Sequence, residues 1–202
     1  MREVQTGLWH WQSPHPEWNA RGADWGKVVS SYAIEDGDRL LLFDPIAVPG
    51  EIEELAAGRE TAIALTCPWH RRDAPSLAER HAWPVYVPPP DAPDPDPVRG
   101  HVFEAGDRLP VGVEAFRGME PNDLVLWVES RRALVTGDTL LDRGKGIEFP
   151  DDWAAEGAIA ARGVSPEQIF EGLKPLLELP VELVLPTHGA PADRAALERA
   201  LS

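Results

Sequence analysis

The chain has 202 residues, 43% of them hydrophobic, which is the composition of a globular protein and enough length for one domain with a single core. Its formal net charge of −15 at pH 7 disfavours binding to nucleic acids or anionic membranes, because both are polyanions. A single cysteine excludes an intrachain disulfide and a metal-binding thiolate cluster, and no apolar run approaches the roughly 20 residues that span a bilayer.

The first half of the chain is predicted to combine strands with two short helices. Its first residues contain no signal-peptide core, so we expect a cytoplasmic protein. Asp36-Gly37-Asp38 is a tight turn that joins two strands in a hairpin. In chain order, the predicted elements are strands at residues 4–12, 28–35 and 39–43, a helix at 51–58, a strand at 62–65, a helix at 75–81 and a strand at 85–87.

A segment rich in proline and aspartate, residues 88–97, separates the two halves of the chain. It can neither pair as a strand nor continue a helix, because proline lacks a backbone N–H group. The predicted strands on either side belong to one sheet system. We therefore interpret the segment as an exposed, stiff loop within a single domain of residues 1–202.

The second half of the chain, like the first, is predicted to consist of strands and helices in succession. Ser165-Pro166-Glu167-Gln168 is typical of a helix start, with a serine cap, a proline at the first position and a capping-box glutamine. Successive blocks of antiparallel strands, each followed by helices, predict two sheets packed face to face with helices outside. The predicted elements are strands at residues 100–105, 111–116, 124–129 and 133–136, a helix from 165 to about 179, a strand at 181–185 and a helix at 192–201.

Polar residues follow three of the predicted strands directly. The strand at 62–65 is followed by a loop that carries His70 and Asp73, the strand at 133–136 by Asp138, and the strand at 181–185 by His188. Such loops are where α/β proteins place their chemistry, because the strand fixes side chains that the loop exposes. We expect the three loops to converge on one site.

The order of elements resembles the metallo-β-lactamase fold, an αββα sandwich with its metal site at the edge where the sheets meet. The resemblance spans roughly residues 4–201, and its best local matches are residues 32–45, 135–140 and 185–189. It implies that the carboxylate of Asp138 takes the place of a metal-bridging aspartate and that His188 takes the place of a metal-binding histidine.

The main signature of the family, His-x-His-x-Asp-His, is replaced here by Cys67-Pro68-Trp69-His70-Arg71-Arg72-Asp73. Without a gap, the only residue at a ligand position that could bind a metal is Cys67, which we otherwise interpret as a small buried apolar residue. With one residue inserted, His70 takes the second histidine position and Asp73 comes close to the aspartate position. Met119 stands where relatives have a further histidine, and a neutral thioether is a poor ligand for zinc.

The resemblance therefore implies at most one divalent ion, most plausibly zinc, held by His70, Asp138 and His188. Arg71 and Arg72 weigh further against a two-metal site, because each would repel a dication by about 4 kcal/mol at ~8 Å and an effective dielectric of ~20. We hypothesise that a guanidinium has replaced the cation, with Arg71 or Arg72 neutralising Asp138. Asp44, before Pro45, is interpreted as a structural carboxylate that orders the site loops.

Three functional hypotheses follow for a protein of hydrolase ancestry with a degenerate metal site. The first is a mononuclear hydrolase in which Asp73 or Asp138 accepts a proton from metal-activated water. The second is a metal-free protein that binds a small anion. The third is a structural protein that has lost the chemistry. The side chains expected to contact a ligand are Trp69, Arg71, Arg72 and His15.

Overall fold

Two β-sheets pack face to face in the computed structural model, which describes residues 1–21, 25–90, 94–155 and 162–202. The first sheet contains seven strands in the order β1 to β7. These strands are β1 (Arg2–Gln5), β2 (Leu8–Pro14), β3 (Val28–Asp36), β4 (Arg39–Phe43), β5 (Glu60–Ala64), β6 (Val85–Val87) and β7 (His101–Val102). Helices α1 (Gly50–Ala56) and α2 (Ala74–His81) connect β4 to β5 and β5 to β6.

The second sheet contains six strands from the second half of the chain. They are β8 (Arg108–Leu109), β9 (Val113–Arg117), β10 (Leu124–Val128), β11 (Ala133–Val135), β14 (Leu183–Leu185) and β15 (Ala192–Asp193), and β12 (Leu141–Asp142) with β13 (Ile147–Glu148) forms a separate hairpin. Their order is β15-β14-β11-β10-β9-β8. The helices described in this half are α3 (Asp151–Ala154), α4 (Pro166–Leu173) and α5 (Arg194–Ala200).

Alternation along the strands divides the buried side chains into layers. On β10, Leu126 and Val128 belong to the cluster between the two sheets, whereas Trp127 points to the opposite face and packs among helical residues. Leu77 of α2 covers the outer face of the first sheet, and Leu197 of α5 covers that of the second. The predicted αββα sandwich is therefore confirmed.

The strand pairing differs in part from the expected antiparallel blocks. The strand pairs β4–β5, β5–β6 and β6–β7 are parallel, and so is β11–β14. Parallel neighbours need a crossover connection, which α1 and α2 supply in the first sheet. As a result, the carboxyl ends of β4, β5, β11 and β14 supply the loops at one edge of the sandwich.

Several predicted elements have different boundaries, among them the strand expected at residues 100–105, which is limited to His101–Val102, and the helix expected at 192–201, which begins only at Arg194; two further differences have a clear cause. The strand expected at residues 4–12 is a hairpin of β1 and β2, because Gly7 turns the chain with a φ of 69°. The helix expected to reach residue 179 ends at Leu173 and continues as a 3₁₀ helix over Lys174–Glu178. Pro175 explains the change, because it has no N–H group to continue the α-helical ladder.

The proline-rich segment is irregular where it is described, at residues 88–90 and 94–97, and residues 91–93 of it lie outside the described residues. Its assignment to one domain with the rest of the chain stays a prediction. None of the described helices is both long and apolar enough to cross a membrane.

Val128→Ala should destabilise the sandwich by about 2 kcal/mol, because it removes two buried methyl groups between the sheets. Val102→Ala is the matched control, since Val102 is 60% exposed and its truncation should change the free energy of unfolding by less than about 0.5 kcal/mol. Urea denaturation of both variants measures the difference. Equal losses would contradict the assignment of Val128 to the core between the sheets.

Candidate metal centre

Three donor groups from different strand ends converge on one point. Oδ1 of Asp138 lies 3.3 Å from Nε2 of His70 and 3.3 Å from Nε2 of His188, and all three side chains are buried. Within the described part of the chain, Oδ1 has no hydrogen-bond partner of good geometry. A buried carboxylate oxygen without a hydrogen bond is costly, and donors that face a common point are what a metal ion requires.

Cys67 is a further member of this group. Its Sγ atom, a carboxylate oxygen of Asp138 and an imidazole nitrogen of His70 all lie within 4.8 Å of one another. Burial, together with the charges of nearby aspartates, raises the pKa of the Cys67 thiol well above its usual range, so without an ion the thiol is neutral. The prediction that Cys67 is only a buried apolar residue missed this placement, although the ungapped alignment put it at a ligand position.

A 3₁₀ helix explains why Cys67 and His70 lie together. Pro68–His70 forms this helix with Pro68 at its start and Cys67 as its cap, and the N–H of His70 donates to the carbonyl oxygen of Cys67 at 3.2 Å. Residues three apart eclipse in a 3₁₀ helix, so the thiol and the imidazole point to the same side. Cys67 and His70, three residues apart, therefore lie on the same side of the turn, as the first two histidines of the family signature do at a spacing of two.

Glycine is required before Asp138. Gly137 has a φ of 53°, and a Cβ atom there would come within 2.6 Å of Oδ1 of Asp123. The same Oδ1 accepts the backbone N–H of Asp138 at 3.4 Å. On the side-chain end, Oδ2 of Asp138 accepts the indole N–H of Trp69 at 2.8 Å. The position and direction of the carboxylate are thus fixed from both sides.

Asp44 is the buried carboxylate beneath the group, as predicted for a residue that orders the site loops. Its Oδ1 accepts the backbone N–H of Thr66 at 2.9 Å, and its Oδ2 accepts the hydroxyls of Thr66 at 2.7 Å and Thr187 at 3.2 Å. Oδ2 also lies 3.3 Å from Nδ1 of His70. A carboxylate on one ring nitrogen orients the other nitrogen, so Asp44 directs Nε2 of His70 toward Asp138.

The two carboxylates determine the charge of His70. Burial by itself would lower the pKa of this imidazole, but Asp138 and Asp44 on either side outweigh burial and raise it to about 9. Burial also opposes the charge of Asp138, yet the imidazolium of His70 and the neighbouring His188 hold the pKa of Asp138 well below its usual range. Without an ion, the cation of the site is therefore a protonated imidazole.

The hypothesis that a guanidinium neutralises Asp138 is wrong. Arg71 is exposed and pairs with Asp96 at 3.0 Å, away from the donor group. Arg72, at a φ of 38°, turns its Nη1 to the carbonyl oxygens of Asp44 at 2.7 Å and Ser30 at 3.0 Å. Arg71 and the Nη1 atom of Arg72 thus have other partners, and of the two residues Arg72 lies near the site.

Asp73 also lies apart from the donor group. Its Oδ2 accepts the backbone N–H of Ala47 at 2.7 Å, and its own N–H donates to the carbonyl oxygen of Pro45 at 3.1 Å. These bonds connect the start of α2 to the loop after β4. The expected role of Asp73 as proton acceptor therefore finds no support in its placement, which is that of a loop-fixing carboxylate.

Aromatic rings border the donor group. The ring of Trp25 meets His188 edge-on at a centroid distance of 4.8 Å, and that of Trp153 does so at 6.5 Å. His15, expected to contact a ligand, is half-buried and lies 5.3 Å from the ring of Trp25. Trp69 is 39% exposed beside the group. Trp69 and His15 thus both lie at the rim, where a ligand would pass.

Asp123 is a buried carboxyl that the sequence analysis missed. It is fully buried, and its Oδ2 accepts the hydroxyl of Thr139 at 2.6 Å. Burial, with the charge of Asp138 nearby, raises the pKa of Asp123 to about 8. Thr139 also holds the backbone at Met119, whose N–H donates to the same hydroxyl at 2.8 Å.

Met119 lies in an apolar cluster rather than among the donors. Its side chain is buried with Ala154 and Ile169. The thioether at the position of the missing histidine is thus packed against apolar side chains.

A family model and several solved structures are similar to this chain. The sequence model described as "Metallo-beta-lactamase superfamily" matches residues 60–188. The structure of TTHA1623 in a di-iron-bound form is 26% identical, with 85% of this chain and 93% of that chain covered and a TM-score of 0.61. No curated protein matches the sequence significantly.

Two more distant structures show the same fold. The DIM-1 metallo-beta-lactamase is 15% identical, with 98% of this chain and 93% of that chain covered and a TM-score of 0.70. A metallo-beta-lactamase from Pontibacter korlensis is 15% identical, with 99% and 95% covered and a TM-score of 0.68.

Asp123→Asn should weaken the pH dependence of stability. The pKa of Asp123 is raised to about 8 in the folded protein, so the folded state retains a proton that the unfolded chain releases above about pH 4. Its contribution to stability is therefore complete below about pH 4 and is lost as the pH rises toward 8, by up to about 1.4 kcal/mol per pH unit.

Urea denaturation between about pH 5 and pH 8 measures this contribution. The free energy of unfolding should fall more steeply with pH in the wild type than in Asp123→Asn. The exposed Asp38→Asn variant should follow the wild type. Identical slopes for the wild type and Asp123→Asn would show that Asp123 titrates normally.

Proposed function

The chain belongs to the metallo-β-lactamase superfamily, and from this premise we propose that it binds one divalent metal ion through His70, Asp138 and His188 and uses the ion in hydrolysis. The observation that supports this proposal best is the convergence of two Nε2 atoms on Oδ1 of Asp138, a buried oxygen without a hydrogen bond of good geometry among the described residues. Cys67 supplies a fourth candidate donor within 4.8 Å of His70 and Asp138.

The donor set favours zinc. Two imidazoles, one carboxylate and one thiol combine the nitrogen, oxygen and sulfur ligands that zinc accepts in tetrahedral sites. TTHA1623, the 26% identical relative, binds two irons. Among the residues that the structure describes here, one cluster of three or more metal-binding side chains is present, so the proposal is for one ion.

A bound divalent ion would supply Lewis acidity, which lowers the pKa of water and polarises a carbonyl or phosphoryl group. The chain's own residues orient and enclose that site. Asp44 fixes the ring of His70, and the rings of Trp25 and Trp153 shield His188 from bulk water. With Asp73 engaged by Ala47, the proposed proton acceptor is Oδ2 of Asp138, which has a second lone pair beside the one that accepts the indole N–H of Trp69.

A second candidate function is a metal-free site that binds a small anion. Two observations favour it. The imidazolium of His70 already places one positive charge between the carboxylates of Asp44 and Asp138, so part of their charge is compensated without an ion. In addition, Nε and Nη2 of Arg72 are buried and lack hydrogen-bond partners among the described residues, which leaves donors for an anion.

Metal titration separates the two functions. If the proposal is right, the wild type binds one Zn²⁺ or Co²⁺ per chain, and His188→Gln weakens binding by about 100-fold or more. Loss of a metal ligand should reduce the affinity more than loss of a residue that only orients a ligand, which costs about 10–100-fold. His81→Gln is the matched control, because His81 stacks on Trp83 at 4.3 Å, away from the site. Protein purified without added metal that takes up no ion would overturn the proposal.

A raised melting temperature with phosphate or a small carboxylate, in protein that takes up no ion, would then support the anion-binding alternative.

Ion affinity should rise with pH toward about 9, because His70 carries a proton below that value and must release it to bind a metal. Calorimetry in two buffers of different ionisation enthalpy should show at least one proton released per ion at neutral pH. Cys67→Ser should release one proton fewer than the wild type if the thiol binds as thiolate, and should lose the thiolate-to-cobalt absorption band. Affinity that is independent of pH would contradict ligation by His70.

Hydrolysis is tested with the metal-loaded protein on a panel of esters, thioesters, β-lactams and phosphodiesters. A substrate that is turned over should be cleaved about 100-fold more slowly or worse by Asp138→Asn, because the variant loses a charged ligand and the proton acceptor. Asp36→Asn, on the exposed hairpin turn, is the matched control. Ion binding without turnover of any substrate would restrict the function to metal binding.

A further inference from the structure

We propose that Trp69 is a positioning residue for Asp138: its indole N–H holds one carboxylate oxygen and leaves the other for a metal ion. This inference rests on the metal-binding role proposed above. Nε1 of Trp69 donates to Oδ2 at 2.8 Å, whereas Oδ1 lies 3.3 Å from Nε2 of both His70 and His188. The two oxygens of one carboxylate therefore have different partners.

The backbone leaves Asp138 little freedom except rotation of its carboxylate. The main chain at Gly137 packs closely against Asp123 and Thr66, and the N–H of Asp138 donates to Oδ1 of Asp123, so contacts at both residues restrain this turn. The terminal torsion of an aspartate is broad and roughly two-fold, and packing alone sets it poorly. A directed hydrogen bond to one oxygen is what selects a single orientation, and Trp69 supplies that bond.

The 3₁₀ helix Pro68–His70 couples the two partners of the carboxylate. Trp69 and His70 are consecutive, so their side chains diverge, and one reaches Oδ2 while the other faces Oδ1. His70 is held in turn by Asp44 through Nδ1. The carboxylate thus lies between two residues of a single rigid turn, and any rotation of it breaks the bond to the indole.

The indole also limits what Asp138 can bind. A carboxylate can offer each of its oxygens to a different ion, but Oδ2 already accepts the N–H of Trp69. The indole nitrogen is a donor only and cannot itself ligate a metal. Trp69 therefore leaves Asp138 as a ligand through Oδ1 alone, which suits a site for one ion.

Trp69→Phe tests this role, because phenylalanine keeps an aromatic ring and removes the N–H group. Zn²⁺ affinity, measured by competition with a chelator, should fall about 10–100-fold, the usual cost of losing a partner that orients a ligand. Trp83→Phe is the matched control, since Trp83 packs against α2 and His81. The same substitution leaves Oδ2 of the buried Asp138 without the indole hydrogen bond, so the metal-free variant should fold but melt at a lower temperature than the wild type.

A second readout follows the hydrogen bond directly. In ¹⁵N-labelled wild type, Zn²⁺ should shift the indole N–H resonance of Trp69 and leave that of Trp83 unchanged. Unchanged affinity in Trp69→Phe, or an indole resonance of Trp69 that does not respond to Zn²⁺, would overturn the positioning role while metal binding stands. Failure of the wild type itself to bind Zn²⁺ would overturn both proposals.

Discussion

The site depends on the hydrogen bonds that the buried carboxylate of Asp44 accepts. Asp44 is 1% exposed and bonds the loop after β5 through Thr66, the loop after β14 through Thr187, and the ring of His70. A buried carboxylate that has accepted these donors cannot lose one without leaving a charge poorly compensated. The three strand ends are therefore fixed relative to one another before any ligand is present, and the direction of His70 follows from them.

Positive charge can be supplied to the two buried carboxylates in two ways. A proton on His70 places one positive charge between Asp44 and Asp138, as the raised pKa of about 9 indicates. A divalent ion facing Oδ1 of Asp138 would satisfy the same carboxylates and expel that proton. The sequence hypothesis placed a positively charged side chain beside Asp138. Such a charge is present in the absence of an ion, but the imidazole of His70 carries it and not an arginine.

Much of the fold was predictable from sequence, because apolar strands and capping motifs such as Ser165–Gln168 report local structure directly. The convergence of His70, Asp138 and His188 was also predictable, since each follows a strand. Cys67 and His70 were candidates only in alternative alignments of the signature, because their placement side by side depends on a 3₁₀ turn that spacing alone does not reveal. The directions of Arg72 and Asp73 depend on backbone angles and carbonyl partners that no local pattern reports.

The donors of the candidate centre come from both sheets: His70 follows β5 of the first, whereas Asp138 and His188 follow β11 and β14 of the second. An ion held by all three would therefore act as a cross-link between the two halves of the sandwich. By mass action, an ion present at 100 times its dissociation constant adds about 2.7 kcal/mol to the free energy of unfolding. The edge at which chemistry is proposed would then also hold the two sheets together, and the concentration of available metal would affect the stability of the folded protein.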